Sequence, residues 1–119
     1  MTRVSATGKS AIDPDCFGLA PVEAVDRALA GRTLANLDVL ELNEAFAAQV
    51  LGCVAEWPEF DPGDSQPAGR RRGPRAPPRA SGTRLAGPVP HQLARRGSTT
   101  GIATLCIGVG QRLSLVLER

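Results

Sequence analysis

The chain has 119 residues, enough for one domain. Lys+Arg 14 against Asp+Glu 12 leaves a net charge of +2, so nothing in the overall balance pulls it toward nucleic acid or an acidic membrane. Cys16, Cys53 and Cys106 lie far apart, without CxxC spacing and with His91 as the only histidine, which argues against a metal site and for reduced thiols in a cytoplasmic setting.

In chain order, Arg3 to Ile12 reads as a first strand. It contains the triplet Gly8-Lys9-Ser10, but a phosphate-binding loop also needs a glycine where Arg3 stands, so the nucleotide reading fails. Asp13-Pro14-Asp15 breaks the strand, because proline cannot donate to a sheet. Gly18-Leu19-Ala20-Pro21 is a turn, with Pro21 suited to the first turn of a helix. Val22, Val25, Ala28 and Leu29 give that helix an apolar stripe, and Gly31 closes it.

Leu37 to Leu42 alternates enough to read as a buried strand. The period switches at Asn43, and a helix is expected from Glu44 to about Trp57, with Phe46, Val50, Cys53 and Val54 on one face and Pro58 as its stop. Asn43 stands at the carboxyl end of a strand, where α/β folds present chemistry. Its side-chain oxygen equally suits a helix cap, and both readings stay open at this point.

Residues 59–79 differ from the rest: rich in Pro, Gly and Arg, with almost no aliphatic side chains, they read as an irregular, mobile, exposed loop. Order resumes at Ala80, and a helix runs to Arg96 before Gly97, broken or delayed by Pro88 and Pro90. Gly101 to Ile107 is a buried strand, Gly108 to Gln111 a tight turn, and Leu113 to Leu117 a closing strand, so the two strands form a hairpin. No apolar run is long enough to span a membrane, and no charged-then-apolar leader opens the chain.

Two segments resemble thiolase motifs in their usual strand contexts. Asn43-Glu44-Ala45-Phe46 resembles the NEAF motif, and Cys106-Ile107-Gly108-Val109-Gly110-Gln111 resembles the C-terminal CxG motif. Asp13-Pro14-Asp15 and Gly18 to Val22 are similar to the loop opening the second thiolase domain. Gln66-Pro67-Ala68-Gly69 and Ala80 to Leu85 are similar to the flanks of the third motif, GHP. The likeness covers nearly the whole chain and is closest to bacterial acetyl-CoA acetyltransferases and β-ketoadipyl-CoA thiolases.

The resemblance implies an α/β fold, the C-terminal half of a thiolase, with a mixed sheet and packed helices. It implies cleavage of a 3-ketoacyl-CoA by coenzyme A, or the reverse Claisen condensation, with coenzyme A as substrate and no cofactor. In that picture Cys106 moves a proton at the α-carbon. Thiols suit the task because their ordinary pKa, about 8.5, can be lowered by a nearby dipole or base. Asn43 would hold a water that stabilises the enolate, and the Gly108 N–H would serve a second oxyanion hole. Ala45 and Phe46 would line the substrate pocket. Taken singly, these residues read otherwise: Cys106 as a small hydrophobe, Gly108 as a turn residue, Phe46 as core. Only the combination points to chemistry. His91 falls in a segment that resembles the ordinary helix after GHP and receives no catalytic role.

One stretch departs from the family. Where GGVALGHPLG is expected between Gly69 and Ala80, the chain reads RRRGPRAPPR. One choice of codons for that stretch, CGG CGG CGT GGC CCT CGG GCA CCC CCT CGG, reads GGVALGHPLG once its first base is dropped. A short frame slip, later restored, is the expected origin of the difference, and Ala76 stands at the histidine position. A chain without that histidine and without the nucleophile half is expected to be inactive alone. It is expected to self-associate or to pair with a first-half polypeptide. The alternative is a small basic binding module built on Arg70, Arg71, Arg72, Arg75 and Arg79, but no aromatic residues interleave these arginines as nucleic-acid binding would require.

Overall fold

The computed structural model describes residues 1–60 and 80–119. Four strands make one sheet: β1 (Arg3–Ala11), β2 (Val39–Leu42), β3 (Thr100–Gly108) and β4 (Gln111–Glu118), in the spatial order β1-β4-β3-β2. Strands β2 and β3 run parallel, while β4 is antiparallel to both its neighbours. The mixed α/β sheet is the one expected, and β3 and β4 form the expected hairpin.

Helices cover both faces. On one side lie α1 (Ala20–Leu29) and α2 (Ala47–Ala55), whose Val25, Ala28, Leu29 and Cys53 share a core with Leu40, Ile102 and Val116. On the other lie α3 (Ser81–Ala86) and α4 (Pro88–Arg96), whose Leu85, Val89 and Leu93 pack on Val39, Ala103 and Leu117. Neighbouring residues of one strand thus enter different cores. Each fully buried aliphatic side chain contributes roughly 1.5–3 kcal/mol. Among the described residues no helix is long and apolar enough to cross a membrane.

Several local expectations change. β2 is buried as expected but starts at Val39 rather than Leu37 and does not alternate: all four of its residues are buried, because helices lie over both faces of a parallel pair. α1 ends one residue earlier than Gly31 suggested: Ala30 takes the left-handed conformation at φ 51, and Gly31 follows at φ 89. The stretch read as a turn at Gly18 is the end of a 3₁₀ segment, Pro14–Leu19, capped by the Asp13 carboxylate, which accepts from the Asp15 N–H at 2.9 Å. The Gly8 triplet lies within β1 beneath α1, where a Cβ on Gly8 would meet the Ala24 carbonyl oxygen at 2.0 Å. The helix around Pro88 is broken as expected, α4 starting at Pro88 and closing at Gly97 with φ 67.

The largest revision concerns α2. It begins at Ala47, not Glu44. Its N-cap is Phe46 in an extended conformation (φ -143), with no side-chain cap bond. Asn43 is therefore not the cap; its N–H donates to the Thr104 carbonyl at 3.0 Å and so continues the β2–β3 pairing by one residue. The inward line of α2 and its exit is Gln49, Cys53 and Trp57, at i, i+4 and i+8, while Phe46 is 60% exposed and Leu51 70%. Phe60 closes this end by packing edge-on to Trp57, with ring centroids 6.3 Å apart. Of the stretch read as an irregular loop from Glu59, Glu59 and Phe60 lie outside regular structure; the rest of it, residues 61–79, lies outside the described residues.

Candidate active site

The end of β3 sets the site. Cys106 is half-buried on the face shared with α1 and α2 and lies across from Arg112 of β4. The Gln49 amide Nε2 donates toward its Sγ at 3.8 Å. Gln49 is itself buried, and its Oε1 has no partner. One turn along α2, Cys53 is 0% exposed and donates its S–H to the Gly18 carbonyl at 3.3 Å. Burial pushes the Cys53 thiol up to about 11, against an opposing pull from the Arg112 charge. Cys53 is thus a packing residue; Cys106, at the open end of the strand, is the reachable thiol of the pair.

Beyond Cys106 the chain turns. Gly110 adopts φ +71, and its carbonyl accepts from the Ile12 N–H at 3.1 Å. A Cβ there would lie 2.4 Å from the Ile12 carbonyl oxygen, so glycine is required for both backbone shape and close approach. Gly108 differs: a Cβ would find only Gln111 Oε1, at 3.9 Å. The space before Gly108 is a cavity of about 390 Å³, walled by Phe17, Ala45, Phe46, Cys106, Gly108 and Arg112 and rimmed by the exposed Ile107 and Val109. Phe17 and Phe46 meet edge to face, with centroids 6.0 Å apart. They also line a second apolar cavity of about 500 Å³, alongside Cys16, Leu19 and Gly52.

Four of the five residues singled out in the sequence, Cys106, Gly108, Ala45 and Phe46, therefore line one cavity. Asn43 is not among its walls; it adjoins them through its backbone bond to Thr104, two residues before Cys106. His91 is exposed on α4, which packs against the opposite face of the sheet.

Sequence reasoning missed Arg112. Its side chain is 1% exposed. It donates to the carbonyls of Gln111 at 2.8 Å, Phe17 at 2.9 Å and Gly108 at 3.4 Å, and its guanidinium carbon lies 5.9 Å from the Phe17 ring centre. The alternation of β4 was legible, but its polar parity, Arg112 and Ser114, is the one turned into the α1 side with Val116. Ser114 satisfies its hydroxyl there by a 2.8 Å bond to Thr104.

This arrangement places a thiol, a backbone turn and an aromatic wall around one opening. The family model described as thiolase, C-terminal domain, matches residues 1–119. The chain belongs to the thiolase family. It is 41% identical to the 3-oxoadipyl-CoA/3-oxo-5,6-dehydrosuberyl-CoA thiolase of Escherichia coli K12 over 98% of its own length and 30% of that protein's. It is also 41% identical to the β-ketoadipyl-CoA thiolase of Pseudomonas aeruginosa, with the same two coverages of 98% and 30%. The crystal structure of the Bacillus anthracis acetyl-CoA acetyltransferase superposes with a TM-score of 0.89 at 33% identity, covering 99% of this chain and 30% of that one. This thiolase domain therefore spans about 30% of the length of each of these relatives.

Proposed function

We propose that these residues supply the proton-transfer half of a thiolase site acting on acyl-coenzyme A thioesters. The observation that supports this most is the meeting of Cys106 and Gly108 with Ala45 and Phe46 in one cavity, from segments far apart in the chain. In the condensation direction the Cys106 thiolate takes a proton from the α-carbon of the thioester. In cleavage the thiol returns it to the departing enolate. The Gly108 N–H faces the charge on the thioester oxygen, and Asn43 orients a water toward the same charge. Ala45 and Phe46 hold the acyl and pantetheine chain. Coenzyme A is a substrate here, not a cofactor.

Acylation needs a nucleophile and a base that these residues do not provide: positions 70–79 carry RRRGPRAPPR, with Ala76 where a GHP histidine would stand. Removing one member of a coupled catalytic set loses most of the rate. The 119-residue chain alone is therefore inactive, and completing the site takes a thiolase first half. The test is a chimera in which these residues replace the matching part of the E. coli acetyl-CoA acetyltransferase. With GGVALGHPLG restored at 70–79 it cleaves acetoacetyl-CoA; Cys106→Ala lowers that rate by roughly 10²–10⁴-fold; with the native 70–79 it is inactive. A restored chimera indifferent to Cys106→Ala refutes the assignment, and so does activity of the isolated chain.

A further inference from the structure

Gln49 is 5% exposed, and a buried amide ordinarily has its donors and its acceptor paired. Among the described residues its side chain makes one hydrogen bond, from Nε2 toward the Cys106 sulfur at 3.8 Å, and Oε1 has no partner. An apolar side chain of the same length would fill this place without an orphaned oxygen, so packing alone does not account for the amide. The sulfur beside it does. A thiol sulfur is a weak acceptor, so the contact contributes little while Cys106 is protonated. A thiolate carries a full charge, and hydrogen bonds to charged groups are shorter and roughly twice as strong. The contact therefore strengthens as the sulfur ionises, and only interactions that strengthen along the reaction speed it. Turned this way the amide suits a thiolate, which offers lone pairs and no proton for Oε1. The stem is braced as well: a Cβ on Gly18 would lie 3.9 Å from the Gln49 Cα and Cγ, and Cys53, one turn on, is anchored to the Gly18 carbonyl at 3.3 Å.

We propose that Gln49 is a further catalytic residue of this site, its Nε2–H donating to the Cys106 thiolate and stabilising the charge the sulfur carries before it takes the α-proton and after it has returned it. The proposal rests on the proton-transfer reading of Cys106, but its first test uses neither coenzyme A nor turnover. The native chain and Gln49→Met, which keeps the length and removes the donor, are alkylated with iodoacetamide under mildly alkaline conditions. The rate at each cysteine is read by mass spectrometry, with the exposed Cys16 as internal reference. Alkylation proceeds through the thiolate, so the methionine variant should slow Cys106 relative to Cys16 by about ten-fold or more. In the ¹⁵N spectrum of the native chain the Gln49 Nε2 protons should move downfield as Cys106 ionises, and Cys106→Ala should hold them still.

A purely structural Gln49 would change the urea midpoint and the protection of Cys53 but not the ratio of Cys106 to Cys16. An unchanged ratio in a folded Gln49→Met variant therefore overturns the proposal, and so does an amide resonance indifferent to Cys106. If the variant does not fold, the resonance of the native chain decides. The restored chimera separates the two readings. Turnover lost in Cys106→Ala but kept in Gln49→Met removes Gln49 from the chemistry and leaves Cys106 in place. Turnover indifferent to Cys106→Ala removes the proton-transfer reading, and the catalytic role of Gln49 with it, while the alkylation ratio still reports the bond to the sulfur.

Discussion

Two glycines two positions apart should respond oppositely to the same substitution. Gly110→Ala forces alanine into φ +71 and brings its methyl carbon to 2.4 Å from the Ile12 carbonyl oxygen. The left-handed conformation costs about 1–2 kcal/mol. Relieving the overlap pushes the Ile12 peptide away and loses the 3.1 Å bond from its N–H to the Gly110 carbonyl. That bond contributes about 0.5–1.5 kcal/mol. Together the loss is about 2–3 kcal/mol, or roughly a 1–2 M drop in the urea midpoint for a small domain. Gly108→Ala meets nothing closer than 3.9 Å and needs no positive φ, so its midpoint should stay within about 0.5 kcal/mol of the parent. Its methyl instead projects toward the cavity, and in the restored chimera it should lower turnover. Trp57, the one tryptophan and 2% exposed, reports the transition by fluorescence. Equal urea midpoints for the two variants would refute the distinction between a turn glycine and a site glycine.

Three further outcomes are expected. Phe17, Leu19, Phe46, Leu51, Ile107 and Val109 are all exposed, so the purified chain should self-associate at tens of micromolar (about the range in which exposed apolar surface aggregates); a sharp monomer boundary in sedimentation would show that face to be stable in water. Iodoacetamide at pH 8 should label the exposed Cys16 first and Cys53 only on unfolding, since the Cys53 thiol is buried and pushed up to about 11; early labelling of Cys53 by mass spectrometry would contradict its packing. Burial raises the Glu41 carboxyl above 4.5, against the Gln92 amide that donates to it, so the folded chain holds that proton more tightly than the unfolded one. This contribution is intact in acid and is lost as the pH climbs through the raised value. The urea midpoint of Glu41→Gln should therefore fall less than that of the parent as the pH rises above 4.5, and parallel curves would refute it.

The elements that depend on near neighbours were legible in the chain itself. β1, α1, the β3–β4 hairpin and the helix broken at Pro88 follow from periodicity, proline and glycine, and the NEAF-like and CxG-like segments were readable as motifs. What the chain alone left open is which side of each element meets another layer. Asn43 has the chemistry of a helix cap, yet pairing with Thr104 keeps it extended and delays α2 to Ala47. A strand of period two has two candidate inner faces, and in β4 the cover of α1 and the Pro14–Leu19 segment turns Arg112 and Ser114 inward. Phe46 looks like core from its helix-like spacing but stands at the cavity, because the inner line of α2 is Gln49, Cys53 and Trp57. Burial of a polar or aromatic side chain is a property of the packed layers around it, and only the tertiary structure brings those layers together.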